Sequence, residues 1–215
     1  MKYYQEITII KSPDISPYFI WSKLYTQLHL ALVEVKNPDD SSNIGVSFPE
    51  YQCVENSDKM IKTLGTKLRV FAESEVELQN LNLNKWLARL TDYVHIRSAQ
   101  KVPENIAGYL VVKRLRQKSN NDRITRAYAK KHQLSFEAAK EARIQTFFEK
   151  HKVSYQESLQ HYYEPNLKER PFIKIASLHL KQQYSLEIEQ SAVSEPINGK
   201  FSTYGLSSHT TVPRW

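Results

Sequence analysis

The 215-residue chain has one cysteine, Cys53, so no disulfide can form within it. It lacks a run of about 18 apolar residues, the length that a membrane-spanning helix requires. The first residues, MKYYQEITII, do not follow the charged, apolar and small order of a secretory signal. We therefore expect a cytoplasmic protein that contacts no membrane and buries a core large enough to need no disulfide.

Residues at metal-ligand spacing are also missing. The sequence has no His-x-x-x-His pair, no second cysteine and no carboxylate cluster of the kind that binds metal ions. Neither a metal nor another cofactor is therefore predicted. Any cleavage chemistry is expected to work without an ion held by the protein.

Positive charge is concentrated in one segment, Lys113 to His132. It contains eight Lys or Arg residues and one acid, Asp122, whereas the net charge of the whole chain is +7. On a helix with about 100° per residue, Arg123, Arg126 and Lys130 lie within about 60° of one another. Such a face can follow a row of phosphates. The alternatives are a solvated surface helix and a DNA-reading helix-turn-helix.

The first 100 residues show the element order βαββαβ. Residue type and alternation predict strands over residues 2–11, 44–48, 67–73 and 93–98. A helix is predicted from Ser16-Pro17 to residues 37–40, because serine favours the N-cap and proline the first turn. Helical spacing predicts a second helix over residues 76–90. This order indicates a ferredoxin-like domain over residues 1–100, an α+β fold often used to hold RNA.

A change of composition at residues 101–105 indicates a domain boundary. The second domain, residues 101–215, is predicted to be α+β and to contain the Arg/Lys-rich helix. Strands are expected over residues 109–116, 172–180, 184–189 and 201–206. Two helices, one beginning at residues 120–122 and the other at Ser135, are expected to join near residues 133–134.

His29 is the histidine best placed for proton transfer. On the helical wheel it lies at the edge of the apolar stripe, beside Ser22, Tyr25 and Thr26, where it would be partly desolvated. An imidazole with a pKa near about 6.5 suits proton transfer at neutral pH. The alternative is an ordinary histidine at the boundary of a core.

Five segments together carry a family resemblance. They are QLHLALV (27–33), IGVSFP (44–49), QKSN (117–120) with the basic helix behind it, PFI (171–173) and FSTYGLS (201–207). In this order they closely resemble the type I-F CRISPR repeat-processing endoribonucleases. The resemblance runs from the first predicted strand to the last.

The resemblance implies a fold and an activity. Members have an N-terminal ferredoxin-like domain and a C-terminal domain with an arginine-rich helix. They bind the hairpin of a CRISPR repeat and cut at its 3′ base, leaving a 2′,3′-cyclic phosphate without a metal ion. The enzyme keeps the cleaved hairpin and remains a subunit of the RNA-guided surveillance complex. For this chain we expect the same partners, and a monomer when it is isolated.

The resemblance also implies roles for single residues. His29 matches the catalytic histidine, Ser177 the serine that positions the 2′-hydroxyl, and Tyr204 the tyrosine that orients the histidine. Arg114 matches an arginine that reads a guanine edge, and Tyr184 an aromatic residue that stacks on the terminal base pair. The residues expected to contact RNA are Arg114, Arg116, Lys118, Arg123, Arg126, Lys130, Lys131 and Tyr184.

Some positions depart from the family pattern. Arg116 stands where a glutamine that reads adenine is expected, and His179 stands where a second serine is expected. His179 is therefore a possible auxiliary proton carrier. The segment Lys150 to Arg170 is longer than expected, and its aromatic residues suggest an insertion that packs on a partner; they are Tyr155, His161, Tyr162 and Tyr163.

Two other classes of function stay open from the sequence. A non-catalytic RNA-binding subunit would keep the basic helix and Tyr184 but would not need His29, Ser177 and Tyr204 together. A DNA-binding regulator would explain the charge but not the ferredoxin-like half. Strand scission that depends on His29 separates these possibilities.

Overall fold

The computed structural model describes residues 1–56, 59–116, 121–163, 170–176 and 182–215. The strands are β1 (Tyr3–Ile9), β2 (Ser41–Ser42), β3 (Gly45–Ser47), β4 (Gln52–Asn56), β5 (Lys59–Thr63), β6 (Lys67–Ala72), β7 (Val94–Ile96), β8 (Gln100–Lys101), β9 (Gly108–Leu115), β10 (Phe172–Ala176), β11 (Gln183–Val193), β12 (Phe201–Ser202) and β13 (Thr211–Arg214). The helices are α1 (Pro17–Glu34), α2 (Glu75–Leu81), α3 (Leu83–Trp86), α4 (Asn121–His132), α5 (Phe136–His151) and α6 (Tyr155–Tyr163), with a 3₁₀-helix at Ala88–Leu90. The predicted α+β class is confirmed.

Contacts divide the chain into two compact units. Unit 1 combines residues 1–115 with residues 170–215, and unit 2 consists of residues 116–169. This division describes packing, and it does not coincide with the predicted domains 1–100 and 101–215. The boundary near residue 100 stays a prediction. No helix in the described ranges has the length and apolar character needed to cross a membrane.

The first sheet of unit 1 is antiparallel and has the strand order β3-β6-β1-β7, with β8 paired to the start of β1. Burial in β1 and β6 alternates only in part, because Glu6 is buried next to Ile7, and Val70, Phe71 and Ala72 are buried in succession. Ile7 is paired with Leu68 in this register, and both are fully buried. They belong to one apolar core with Leu24 and Leu28 of α1.

Helix α1 begins where the sequence predicts. Ser16 is the N-cap, its hydroxyl accepts a hydrogen bond from the Tyr18 amide, and Pro17 occupies the first turn. Helical spacing in the sequence predicts an apolar stripe that consists of Ile20, Trp21, Leu24, Leu28, Ala31, Leu32 and Val35. The buried face contains all of these residues except Val35, and it also includes Tyr25. This face fixes the rotation of the helix, and therefore the direction in which His29 leaves it.

The predicted helix over residues 76–90 is broken. Asn82 adopts a left-handed conformation with φ of 47°, which ends α2, and its side chain accepts a hydrogen bond from the Lys85 amide, which begins α3. Asparagine tolerates this conformation better than most residues, because its short amide can bond to nearby backbone. The apolar pattern therefore continues while the helix does not.

The second sheet of unit 1 has the antiparallel order β10-β11-β9-β13. Its inner face includes Val112, Ile173 and Leu186, which join the same apolar core as the first sheet. Three of its strands were predicted, whereas β13 was not. The predicted strand over residues 201–206 is also only partly correct, because β12 covers residues 201–202 and a turn follows. Beside these sheets, β4 and β5 form an unpredicted hairpin.

Unit 2 contains α4, α5 and α6, held by a buried polar contact. The hydroxyls of Thr125 and Tyr162 lie 2.8 Å apart, and Arg143 donates to Thr125 Oγ1 at 2.6 Å and to the Asn121 carbonyl at 2.9 Å. The two helices predicted on either side of residues 133–134 are present as α4 and α5, and Ser135 caps the second.

The aromatic residues of the long segment pack largely within unit 2. Tyr162 is buried against Thr125, and the His161 ring stacks on Phe147 with 4.2 Å between centroids. The expectation that this segment packs on a partner is therefore corrected for Tyr162, which is buried within unit 2, and stays a prediction for His161, which is half-buried. Tyr163 is 63% exposed.

Candidate active site

His29 leaves α1 at the edge of the buried face, as the helical wheel predicts. Its side chain is half-buried, whereas that of Leu28 next to it is fully buried. Ser22 and Thr26 lie within about 60° of it on the helix, so the three side chains share one face. A polar stripe on α1 therefore leads to the imidazole.

A tight turn after β12 supplies the other half of the site. Phe201 pairs with Ser42, the Ser202 amide donates to the Leu206 carbonyl at 2.9 Å, and the Gly205 amide donates to the Ser202 carbonyl at 2.8 Å. Gly205 has φ of +70°, which glycine adopts without the strain of a side chain. A Cβ atom there would also lie 2.7 Å from Cγ1 of Val46. Both the conformation and the packing require glycine at this position.

The His29 ring is held on one face and at one edge. Its face lies against Tyr204, with ring centroids 4.0 Å apart and planes 4° apart. Its Nδ1 lies 2.8 Å from the carbonyl oxygen of Thr203. A carbonyl can only accept, so Nδ1 carries the hydrogen, and in the neutral ring the lone pair is on Nε2. Within the described ranges, Nε2 has no hydrogen-bond partner.

The environment favours the neutral form of His29. Burial lowers its pKa from the ordinary value of 6.5, and the hydrogen bond to Thr203, which acts in the opposite direction, is the smaller effect. The imidazole is therefore neutral at pH 7 and can accept a proton at Nε2. A neutral base with a fixed orientation is the form that general base catalysis needs.

Tyr204 connects His29 to two of the residues expected to contact RNA. Its hydroxyl is hydrogen-bonded to the hydroxyl of Tyr184 on β11. The guanidinium of Arg114 on β9 lies over the Tyr184 ring, 5.2 Å from its centroid. Arg114 Nε is buried and lacks a partner within the described ranges, so part of this guanidinium is unsatisfied. The contacts run in the order Arg114, Tyr184, Tyr204, His29.

Tyr25 fixes the backbone beneath this row. It is fully buried on α1, and its hydroxyl donates to the Tyr204 carbonyl at 2.9 Å. Burial raises the pKa of Tyr25, so the phenol keeps the proton that it donates. The helix that carries His29 thus also holds the turn that orients it.

The family model described as CRISPR-associated protein (Cas_Csy4) matches residues 4–215 of the chain. The chain belongs to this family. A relative from Escherichia coli (strain UTI89 / UPEC), named CRISPR-associated endonuclease Cas6/Csy4, is 31% identical over 214 residues, 99% of each protein. A relative of the same name from Pseudomonas aeruginosa (strain UCBPP-PA14) is 28% identical over 214 residues, again 99% of each. The resemblance read from the sequence is confirmed at the level of the family.

One solved structure, described as "An RAMP protein binding different RNA substrates", aligns over 99% of this chain and 100% of its own at 11% identity. Its TM-score of 0.35 is too low to bear on the fold.

The structure brings together four of the predicted site residues of this family member: His29, Tyr204, Tyr184 and Arg114. Ser177, His179 and Lys118 lie outside the described residues. Arg116 is exposed. In unit 2, the four cations predicted on the basic helix are exposed side chains of α4; they are Arg123, Arg126, Lys130 and Lys131. Their roles in binding stay predictions.

Three contributors to the site were not singled out from the sequence. Thr203 acts through its backbone carbonyl, and Gly205 acts through its conformation, so neither offers a side chain to recognise. Tyr25 stood out only as a neighbour of His29. The signal that could have found the first two is their position on either side of Tyr204 in the segment FSTYGLS. Among the described residues, no group of three His, Cys, Asp or Glu side chains forms a metal-sized cluster.

Proposed function

We propose that this chain is an endoribonuclease that binds the hairpin of a CRISPR repeat and cuts at its 3′ base without a metal ion. The observation that carries the proposal is His29, a neutral imidazole stacked on Tyr204 with Nδ1 bonded to Thr203 and Nε2 open. The name that the two relatives share, CRISPR-associated endonuclease, supports the same reaction class.

The chemistry follows from the protonation state of His29. Nε2 takes the proton of the ribose 2′-hydroxyl while the 2′-oxygen forms a bond to the adjacent phosphorus. The bond from phosphorus to the 5′-oxygen breaks, which leaves a 2′,3′-cyclic phosphate on the upstream product. The imidazolium can return its proton to the departing 5′-oxygen, so no net proton is consumed. Ser177 is proposed to hold the 2′-hydroxyl in line for this attack.

Recognition of the hairpin is proposed to involve both units. Arg114 presents a planar fork that suits a guanine edge, and its contact with Tyr184 restricts its orientation. Tyr184 has a flat ring for the terminal base pair. Exposed cations on α4, with Arg116 and Lys118 before it, are proposed to bind phosphates. His179 is a candidate for a second proton carrier.

The architecture is proposed to comprise a ferredoxin-like domain, residues 1–100, followed by an RNA-binding domain, residues 101–215. The strand order β3-β6-β1-β7, with helices after β1 and β6, supports the first assignment. We further propose that the isolated protein is a monomer that retains its cleaved hairpin. In that bound form it would serve as a subunit of a CRISPR surveillance complex.

The test is cleavage of a repeat hairpin from the protein's own CRISPR array in excess EDTA. Wild type is compared with His29→Ala and with His95→Ala, a matched variant at an exposed histidine on β7. The expected result is one cut at the 3′ base of the hairpin by wild type and His95→Ala, and none by His29→Ala. The upstream product should resist ligation-based labelling of its 3′ end until the cyclic phosphate is opened and the resulting monophosphate is removed.

Other results would contradict separate parts of the proposal. Tight binding with no cut by any of the three proteins would indicate a non-catalytic RNA-binding subunit. Equal cutting by wild type and His29→Ala would assign proton transfer to His179 or another group. Loss of cutting in EDTA that returns with added Mg²⁺ would reject the metal-independent mechanism.

A further inference from the structure

A groove beside His29 takes no part in the site described above. It lies in unit 1 between α1 and the edge strand β10, and its volume is about 730 Å³. Thr26 lines its near end, one helical turn before His29, and Ser22 lies one turn farther along the same face. A hydrogen bond from Ser22 Oγ to the Lys174 carbonyl, 2.6 Å long, ties the two walls together. The groove is thus a surface with connected walls that lies next to the turn of α1 preceding His29.

Exposed aromatic rings mark the far end of this groove. Tyr18 is 69% exposed, Phe19 is 54% exposed, and Phe172 on the opposite wall is 40% exposed. A contiguous group of exposed apolar side chains marks an interaction site, and flat rings offer a stacking surface to any base. Three rings in one groove suit unpaired nucleotides better than a duplex, whose bases are stacked on one another.

The charge of the groove points to the same ligand. Lys23 and Lys174 line it, and no acidic side chain is present among the described residues of its wall. Lys23 Nζ lies 5.3 Å from the centroid of the Phe19 ring, so a cation and a stacking face are presented together. A second groove of about 660 Å³ continues beyond Phe19 and Lys23, where it is lined by Trp86 and Arg89 and again by no described acid. Aromatic rings interleaved with cations are the usual surface for single-stranded nucleic acid.

The order of contacts gives this strand a direction. Arg114 and Tyr184, the proposed readers of the base of the stem, connect through Tyr204 to His29. The groove runs along α1 from Thr26, one turn before His29, and none of Arg114, Tyr184 and Tyr204 is among the described residues that line it. An RNA strand whose scissile phosphate lies at His29 can therefore contact these stem-reading residues with its upstream part and the groove with its downstream part.

We infer that the α1–β10 groove binds the single-stranded nucleotides 3′ of the scissile phosphate, with their bases on Phe19, Tyr18 and Phe172 and their phosphates on Lys23 and Lys174. This inference rests on the proposed function, because it places the downstream part of the same RNA. The site discriminates uncut RNA from the cleaved hairpin, since only uncut RNA carries these nucleotides. Downstream RNA then leaves after the cut while the hairpin stays.

The experiment compares two uncleavable hairpins, each with a 2′-deoxyribose before the scissile phosphate. One ends a single nucleotide after that phosphate, and the other carries a tail of six further unpaired nucleotides. The tail is expected to tighten binding to wild type about tenfold, which corresponds to one or two stacked bases. The gain should fall below about twofold in the double variant Phe19→Ala, Phe172→Ala. It should persist in Val76→Ala, a control at an apolar residue of α2 that is 60% exposed.

A charge variant tests the binding of phosphates separately. Lys23→Gln with Lys174→Gln should lower the salt dependence of the tail's contribution by about 0.7 in log–log slope for each phosphate that is no longer neutralised. A tail that adds no affinity to wild type would overturn the inference and leave the groove to another occupant, such as a protein segment. An equal gain in wild type and in the aromatic double variant would overturn it as well.

The two proposals fail in different ways. The same two hairpins are also made with ribose throughout, so that they can be cleaved. Cleavage of the short one by wild type reports on the proposed function alone, because this substrate has no tail. If wild type cleaves the short all-ribose hairpin but the tail adds no affinity, only the inference about the groove is overturned. No cleavage of either all-ribose hairpin would overturn the proposed function, on which the inference rests.

Discussion

The hydroxyl of Tyr184 offers the sharpest test of how His29 is oriented. Tyr184→Phe keeps the ring that is proposed to stack on RNA and the face that Arg114 covers, but removes the bond to the Tyr204 hydroxyl. Tyr204 lies flat on His29, so a looser Tyr204 leaves the imidazole less well fixed. We expect a slower cleavage step with unchanged affinity for the cleaved hairpin.

The expected loss of cleavage rate can be worked out from the one hydrogen bond that Tyr184→Phe removes. A bond between neutral groups contributes about 1 kcal/mol net, and about 1.4 kcal/mol corresponds to a tenfold change in rate. Tyr184→Phe should therefore slow cleavage about fivefold if the whole bond acts on the transition state. Tyr204→Phe removes the other partner of the same bond and keeps the ring on His29. If both single variants slow cleavage by removing this bond, the variant that combines them should be little slower than Tyr204→Phe alone.

The assay is single-turnover cleavage with enzyme in excess, which isolates chemistry from product release. Affinity is measured in parallel on the cleaved hairpin. If the rate reductions of the two single variants multiply in the double variant, the two effects are independent, and coupling through this bond is refuted. A Tyr184→Phe variant that cuts as fast as wild type would show that the bond between Tyr184 and Tyr204 is not needed to orient the imidazole.

Three further predictions concern the same machinery. At sub-saturating enzyme, where the rate reports the protonation of the free protein, cleavage should rise with pH through a midpoint below 6.5 and then level off, because burial lowers the pKa of His29 and activity is lost only as pH falls through that lowered value. A midpoint above 6.5 would contradict this. Gly205→Ala should lower the free energy of unfolding by about 1–3 kcal/mol in urea titrations, because φ of +70° and the approach of Val46 both disfavour a Cβ atom at this position. A change below about 0.5 kcal/mol would mean that the turn relaxes to accept the Cβ atom. Arg126→Gln with Lys130→Gln should reduce the log–log salt slope of hairpin affinity by about two, and an unchanged slope would exclude these exposed cations as phosphate contacts.

Local chemistry made parts of the fold predictable. Ser16 and Pro17 fix the start of α1 through a cap and a preset backbone angle, and both signals lie within a few residues. The break at Asn82 was missed because Leu81 and Leu83 on either side of it are both buried, so the apolar pattern continues across the bend. The left-handed conformation of Asn82 could therefore not be predicted from the apolar pattern.

Strands without a readable pattern were missed for other reasons. The β4–β5 hairpin leaves Val54 51% exposed and Ile61 42% exposed, so it shows no clear alternation between a buried and an open face. Strand β13 contains Pro213, which usually argues against a strand. It is tolerated because β13 lies at the edge of its sheet, where one side needs no hydrogen-bond donor.

The candidate site was predictable in its residues but not in its contacts. His29 could be placed at the edge of α1 from periodicity, and family resemblance added Tyr204, Tyr184 and Arg114. Nothing in the local sequence indicates that the Thr203 carbonyl fixes the tautomer of His29, because the two residues lie far apart in the chain. Tertiary structure alone creates that contact, and with it the open Nε2.

The way that unit 2 interrupts unit 1 has a consequence for how such proteins can change over time. The helices enter after β9 and leave before β10, two strands that are not neighbours because β11 lies between them. Lengthening a connection costs little free energy, about 0.6 kcal/mol for each doubling of its length. Descendants of this chain can therefore gain, lose or recharge helices in the insertion while every strand of the sheet keeps its register. If the exposed cations of α4 bind RNA as proposed, preference for a new hairpin can then evolve without changing the chemistry proposed for His29.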